Sequence, residues 1–275
     1  MEIVFGVRSD VGLVRSNNED HFAVEPDLNL FILCDGMGGQ AGGEVASRMG
    51  AELILEHCCQ GHQNPRLGLE GTYHEEFSAQ TNRLLSGIRV SNRAIYEAAN
   101  GSSAEVSGMG STVVAVQILG NVMSVAHVGD SRSYLFRNGE LRQLTEDHSL
   151  VQEQVRQGLI TAEEAEHSEF SNVILRALGA EPTVLVDLDE VWVGARDQML
   201  LCSDGLTRMV PDAKIANVLA TAQTAQEAAD QLVELANQHG GEDNTTVIVA
   251  RLLPPATGWK RWLPFFRGGD RTWPR

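Results

Sequence analysis

The sequence predicts an α+β sandwich, sheet packed on sheet with helices outside. Three observations point there. Short apolar runs alternate with two-residue turns, which implies antiparallel hairpins. Longer segments with helical periodicity fall between the strand blocks. Of 275 residues, 43 % are hydrophobic and 21 % charged, with 27 Gly and 8 Pro, a globular composition with enough apolar side chains for a real core.

Taken in order, Phe22–Val24 and Leu28–Cys34 are apolar runs separated by Pro26-Asp27, a turn pair. Gly43–His57 carries Val45, Met49 and Leu53 at helical spacing, and Glu75–Ala98 aligns Phe77, Leu84, Ile88 and Ile95 on one face. Thr112–Leu119 and Val122–Val128 are rich in β-branched residues and flank Gly120-Asn121. Ser133–Arg137 and Glu140–Leu144 flank Asn138-Gly139, a stronger hairpin signal. Residues 148–180 are polar and read as an insertion of short helices between strands. Further strands are expected at Val184–Val191, Met199–Cys202 and Thr245–Leu252. A third helix opens at Pro211, placed where its missing N–H costs nothing. The fourth, Thr224–Asn237, is capped by Thr224 with Glu227 three residues on, and ends at Gly240-Gly241.

Charge divides the chain unevenly. The net charge is −16; after Pro254-Pro255 the tail holds five basic residues and Asp270, a balance of +4, so residues 1–253 carry −20. Such a body repels nucleic-acid phosphates and suits cations or a basic partner. The tail also holds Trp259, Trp262, Trp273, Phe265 and Phe266, a mixture that suits docking on an anionic membrane surface or a protein, or a simple disordered extension. Four cysteines make no disulfide framework, although Cys58-Cys59 between His57 and His62 forms a conceivable metal site. No signal peptide or membrane span is evident, so a cytoplasmic location is expected.

The main functional signal is where the acidic residues fall. Asp35 and Asp204 follow apolar strand runs, Asp130 follows Val125–Val128, Glu19-Asp20 precedes Phe22, and Glu242-Asp243-Asn244 precedes the last strand. A carboxylate at a buried strand end is costly unless paired or bound to a cation. Asp-Gly turns account for one or two such sites but poorly for all five. Oxygen-only ligands select Mg²⁺ or Mn²⁺, and two such ions can share a water, lower its pKa and present hydroxide to an electrophile. Arg15 offers a fork that matches phosphate oxygens.

Six motifs in order carry a resemblance: Arg15-x-x-Asn18-Glu19-Asp20, Asp35-Gly36-Met37-Gly38-Gly39, Gly108-x-Gly110-Ser111-Thr112, Gly129-Asp130-Ser131-Arg132, Ser203-Asp204-Gly205 and Asp243-Asn244-Thr245. Over residues 5–252 the chain resembles the bacterial metal-dependent protein phosphatases of the 2C (PPM) family. The resemblance implies a four-layer α-β-β-α sandwich, with residues 1–253 the catalytic domain, 148–180 a flap within it, and 254–275 a tail. It implies hydrolysis of phosphoserine and phosphothreonine in proteins by a hydroxide bridging two divalent metals. Asp35 would bridge them, the Gly36 carbonyl would bind the second, and Asp204 and Asp243 would complete the first. Glu19 and Asp20 would act through metal-bound waters, Asp130 with Asp204 would hold a weaker third ion, and Arg15 would grip the phosphate. Asn244 would orient Asp243. The partners implied are phosphoproteins, a Ser/Thr kinase and its targets among them, in a signalling role.

One departure concerns the general acid. Eukaryotic members carry histidine where this chain has Met37, and many bacterial members carry one where it has Gln40. Glutamine hydrogen-bonds a phosphate oxygen but gives no proton to a seryl leaving group. A metal-bound water, His21 or His148 would then do so. Two other readings are weaker. Gly36-Met37-Gly38-Gly39-Gln40-Ala41 fits a relaxed dinucleotide fingerprint, but polar Cys58–Gly71 leaves no second parallel strand. A pseudophosphatase would have lost metal ligands, and Asp35, Asp204 and Asp243 are all in place.

Overall fold

The computed structural model describes residues 1–38, 42–101, 106–166, 168–170 and 172–255; Gln40 and tail residues 256–275 lie outside these. In chain order the strands are β1 (Glu2–Asp10), β2 (Asp20–Glu25), β3 (Leu30–Met37), β4 (Gly110–Ser111), β5 (Val113–Leu119), β6 (Val122–Val128), β7 (Arg132–Arg137), β8 (Glu140–Gln143), β9 (Asp187–Trp192), β10 (Gln198–Cys202) and β11 (Thr245–Leu253). The helices are α1 (Gly42–Gln63), α2 (Ala79–Ala99), α3 (Leu150–Arg156), α4 (Ala162–Glu166), α5 (Asp204–Thr207), α6 (Asp212–Thr221) and α7 (Ala225–Gln238). One sheet runs β1-β11-β10-β7-β8 and the other β2-β3-β5-β6-β9, with β4 paired to β3. Every one of these pairs is antiparallel.

Alternation along the strands builds three core layers. On β3, Leu30, Ile32 and Cys34 face α1 and α2, whereas Phe31 and Leu33 face the opposite sheet. On β10, Met199 and Leu201 fill the space between the sheets while Leu200 and Cys202 meet α6 and α7. β11 repeats the pattern, with Ile248, Ala250 and Leu252 toward the other sheet and Val247 and Val249 toward the helices. Strands buried on both faces read as unbroken apolar runs, which is why these were legible.

Several elements differ from the sequence expectation, the short β4 and α5 among them. β1 was not expected; it is an edge strand with Val4 and Phe5 exposed, paired with β11 from Glu2↔Leu253 to Asp10↔Thr245. α1 runs on through Cys58 and Cys59 to Gln63, because Cys58 and Gly61 remain on its buried face. The cysteines are free, burial pushes the Cys58 thiol up to about 12, and among the described residues Cys58 and Cys59 do not gather with His57 and His62 into a group of metal-ligating atoms. α2 starts after Ser78, whose hydroxyl accepts from the Thr81 N–H, rather than at Glu75. Pro211 is the residue before α6, not its first turn. The Thr224 cap is as expected, its oxygen accepting from Glu227 N–H at 3.0 Å, but Glu227 reaches back one residue further, to Gln223 N–H.

Within the flap region, α3 and α4 lie between two tethers. The Ser149–Ile174 bridge closes its base, and Ser111 and Leu178 exchange backbone hydrogen bonds.

Candidate metal centre

The acidic residues singled out in the sequence converge where strands of both sheets end. Asp20 opens β2 and lies opposite Asp35 on β3. Asp130 follows β6, Asp204 opens α5 after β10, and Asp243 precedes β11. Asp20, Asp130 and Asp204 are buried, at 8 %, 5 % and 8 % exposure. Each has one carboxylate oxygen, Oδ1, that is buried and meets no hydrogen-bond donor.

Such an arrangement disfavours ionisation. Burial pushes Asp20 and Asp130 up to about 7; for Asp20 hydrogen bonds from Thr246 and Ser203 oppose the rise, for Asp130 the nearby Arg208 does. Burial also raises Asp35 well above the usual carboxylate range, with the charges of Asp20, Asp204, Asp130 and Asp243 adding to it. Asp204 is raised by burial and held back by Arg208. Glu19 is raised by burial against the pull of Arg15. Bare, buried oxygens that repel one another are the condition a hard cation relieves, so the donor set fits Mg²⁺ or Mn²⁺.

The surrounding motifs hold these carboxylates in place. The Asp35 N–H donates to Thr112 Oγ1 at 3.0 Å, the Thr112 N–H returns to the Asp35 carbonyl at 2.8 Å, and Ser131 Oγ lies 2.7 Å from the same Thr112 hydroxyl. Ser203 Oγ donates to Asp20 Oδ2 at 2.8 Å. Gly36 donates its N–H to the Glu19 carbonyl, and a Cβ on it would lie 2.1 Å from the Gly43 carbonyl oxygen, so only glycine fits where α1 meets β3. Gly43 in turn lets the Glu19 carboxylate lie against the start of α1.

Two sequence expectations take a different form. The Asn244 side chain does not reach Asp243; its Oδ1 accepts from Glu19 N–H at 2.8 Å and its Nδ2 donates to the Val11 and Asn17 carbonyls. It therefore anchors the loop bearing Arg15 and Glu19, while only its backbone N–H donates to Asp243 Oδ1. His148 is set apart from the carboxylates. Its Nδ1 accepts from Gly129 N–H at 3.1 Å, its ring stacks on His127 at 4.5 Å, and its Nε2 lies 3.2 Å from Asp187 Oδ2. His21, one residue after Asp20, points to the other face of β2, toward the charges of Glu52, Arg48 and Glu44 on α1.

Arg15 stands at the rim, half exposed, with Nη2 2.8 Å from Asp243 Oδ2. Sequence reasoning missed Arg208. Its guanidinium touches Asp204 Oδ2 and lies 3.7 Å from Asp130 Oδ2 and 3.8 Å from Asp243 Oδ2. The spacing Asp204-x-x-x-Arg208, one helical turn directly after a strand, was the available signal.

His127, His148 and Asp187 form a second group whose ligand-type atoms lie within 4.8 Å of one another. Its hydrogen bonds argue against a metal. His127 Nε2 donates to the Glu146 carbonyl at 2.8 Å. His148 Nδ1 accepts a backbone N–H, so the neutral ring carries its proton on Nε2, the nitrogen a metal would need. Burial, with His127 and Arg176 nearby, lowers His148 to about 4 and keeps it neutral.

Comparison with known proteins agrees with this geometry. Residues 14–244 match the family described as Protein phosphatase 2C. The serine/threonine phosphatase stp of Listeria innocua is 40 % identical over 245 residues, covering 88 % of this chain and 93 % of that protein. The serine/threonine protein phosphatase PstP of Mycobacterium tuberculosis is 40 % identical over 250 residues, 90 % of this chain and 45 % of its own length. A crystal structure of the M. tuberculosis PstP/Ppp phosphatase superposes with a TM-score of 0.80 at 37 % identity, covering 92 % of this chain and 100 % of that one. The PstP catalytic domain in complex with two manganese ions superposes at 0.76 with 37 % identity, covering 92 % and 99 %. The chain belongs to the protein phosphatase 2C family.

Proposed function

We propose that this phosphatase hydrolyses phosphoserine and phosphothreonine in proteins at the carboxylate cluster between the two sheets, with two tightly held Mn²⁺ or Mg²⁺ ions. The observation that carries this reading is the set of buried, unpartnered oxygens on Asp20, Asp130 and Asp204. Asp35, Asp204, Asp243 and the Gly36 carbonyl would be the residues that hold the ions, with Glu19 and Asp20 contributing through water. When bound, the two cations lower the pKa of a shared water to supply hydroxide near neutral pH and offset the charge of the phosphate.

The chain's own residues do the rest. Arg15, half exposed at the rim, presents its fork to the phosphate oxygens and exchanges part of its pairing with Asp243 for them. Asn244 sets the position of Arg15 by tying down residues 11–19. Neither His21 nor His148 serves the leaving oxygen, since His21 lies on the far face of β2 and His148 holds the Gly129 N–H with Nδ1 and faces Asp187 with Nε2, so that proton comes from water. The natural substrates we infer are a Ser/Thr kinase and its cytoplasmic targets, a signalling role, and the basic, aromatic composition of the tail supports docking on a membrane surface or a protein.

The deciding experiment is hydrolysis of a phosphothreonine peptide with and without Mn²⁺, by the native protein and by Asp204→Asn. Turnover that needs Mn²⁺ and disappears in the variant supports the reading. A folded native protein inactive with every divalent ion would overturn it.

A further inference from the structure

Arg208 sits among the carboxylates as a cation of the chain's own, and its position bears on how many metal ions the centre accepts. Its Nη2 serves two carboxylates at once, touching Asp204 Oδ2 and lying 3.7 Å from Asp130 Oδ2, while Nη1 is 3.8 Å from Asp243 Oδ2. The side chain is anchored one helical turn beyond Asp204, its own N–H donating to the Asp204 carbonyl at 2.9 Å. At 28 % exposure it is largely enclosed, and a guanidinium keeps its charge at any physiological pH.

The charge balance of the cluster gives this contact meaning. Glu19, Asp20, Asp35, Asp130, Asp204 and Asp243 carry six negative charges when ionised. Arg15 and Arg208 return two, and two divalent cations complete neutrality. A third divalent ion would enter a centre already neutral, beside a fixed positive charge and on oxygens that charge already engages.

We propose that Arg208 is a built-in counter-cation on the Asp130–Asp204 edge, which limits the centre to two divalent ions. The proposal rests on the metal-centre reading above and deepens it. It assigns the Asp130 side of the cluster to a protein cation, in place of a metal. Because Asp130 Oδ1 and Asp204 Oδ1 remain bare, removing Arg208 leaves a ligand pair with uncompensated charge.

The test counts bound Mn²⁺ by the electron paramagnetic resonance signal of the free ion at pH 7.5. The native chain is expected to bind two equivalents. Arg208→Met, similar in length but uncharged, is expected to bind a third at least tenfold more tightly than the native chain does. Adding Asp130→Asn to that variant is expected to remove the extra equivalent. Arg208→Lys, which retains the charge, is expected to stay at two; Arg208→Gln is the substitute should the Met variant not fold by circular dichroism. Equal stoichiometry and affinity in the native and uncharged variants would overturn the proposal alone, as would three equivalents in the native chain. No Mn²⁺ binding to any of these folded proteins would overturn the metal-centre reading, and this proposal with it.

Discussion

The carboxylate cluster and the His127–His148–Asp187 group both gather side chains that ligate metals, yet the buried atoms they leave unpartnered differ: lone-pair oxygens in the first, the protonated Nε2 of His148 in the second. In the cluster, Asp20, Asp130 and Asp204 each leave a buried oxygen without a donor. In the histidine group, Glu146 and Gly129 of the backbone already engage one nitrogen on each ring, and that choice places the His148 proton on the would-be ligand atom. The lesson is that proximity of ligand types does not make a metal site. Bare lone pairs at a desolvated position do, because only there does a cation recover the cost of burial.

The contrast can be broken in four ways, ordered by expected effect. Asp35→Asn removes the residue shared between the two proposed ions. It should lower Mn²⁺-dependent turnover of a phosphothreonine peptide by about 4 kcal/mol, roughly 10³-fold or more. Retained turnover would show that the cluster is not the catalytic centre.

The second concerns pH. In the metal-free protein burial raises Asp20 and Asp130 from 3.8 to about 7, so between these values the folded state binds more protons than the unfolded chain. Stability therefore falls as pH rises through that window, by up to about 1.4 kcal/mol per pH unit for each group. Thermal melts of the metal-free protein from pH 5 to 7.5 should show a falling Tm that Mn²⁺ reverses. A flat profile would mean that the oxygens are already satisfied.

Third, His148→Ala leaves the Gly129 N–H without its acceptor and should cost about 1–3 kcal/mol in denaturant unfolding. The number of Mn²⁺ ions bound should not change, and a lost equivalent would join the two regions into one site. The smallest expected effect is a null. With Asp35 and Asp204 both changed to Asn, Co²⁺ should show no visible absorption beyond that of the aqueous ion. A new band from imidazole ligation would make the histidine group a metal site after all.

Much of the architecture was legible because β3, β10 and β11 are buried on both faces and leave continuous apolar runs. β1 was not, since an edge strand with exposed Val4 and Phe5 looks like any surface segment until β11 pairs with it. The acidic residues of the cluster were legible because each sits at the end of a strand, where local sequence shows both the apolar run and the charge that interrupts it. Arg208 showed only its local spacing to Asp204. Its partners Asp130 and Asp243 lie far from it in sequence, and a lone arginine just past a short helix reads as a solvated charge.

The sequence by itself determined most of the strands, the cap at Thr224, and which carboxylates sit at strand ends, because these follow from short-range periodicity and turn chemistry. Only the tertiary structure decided how the groups are satisfied. It turned Asn244 toward the Arg15 loop, locked the His148 tautomer against Gly129, and set Arg208 between carboxylates of both sheets. The reason is physical: burial and hydrogen-bond partnership are properties of a position in space, and a linear pattern specifies which atoms are available but not which of them meet.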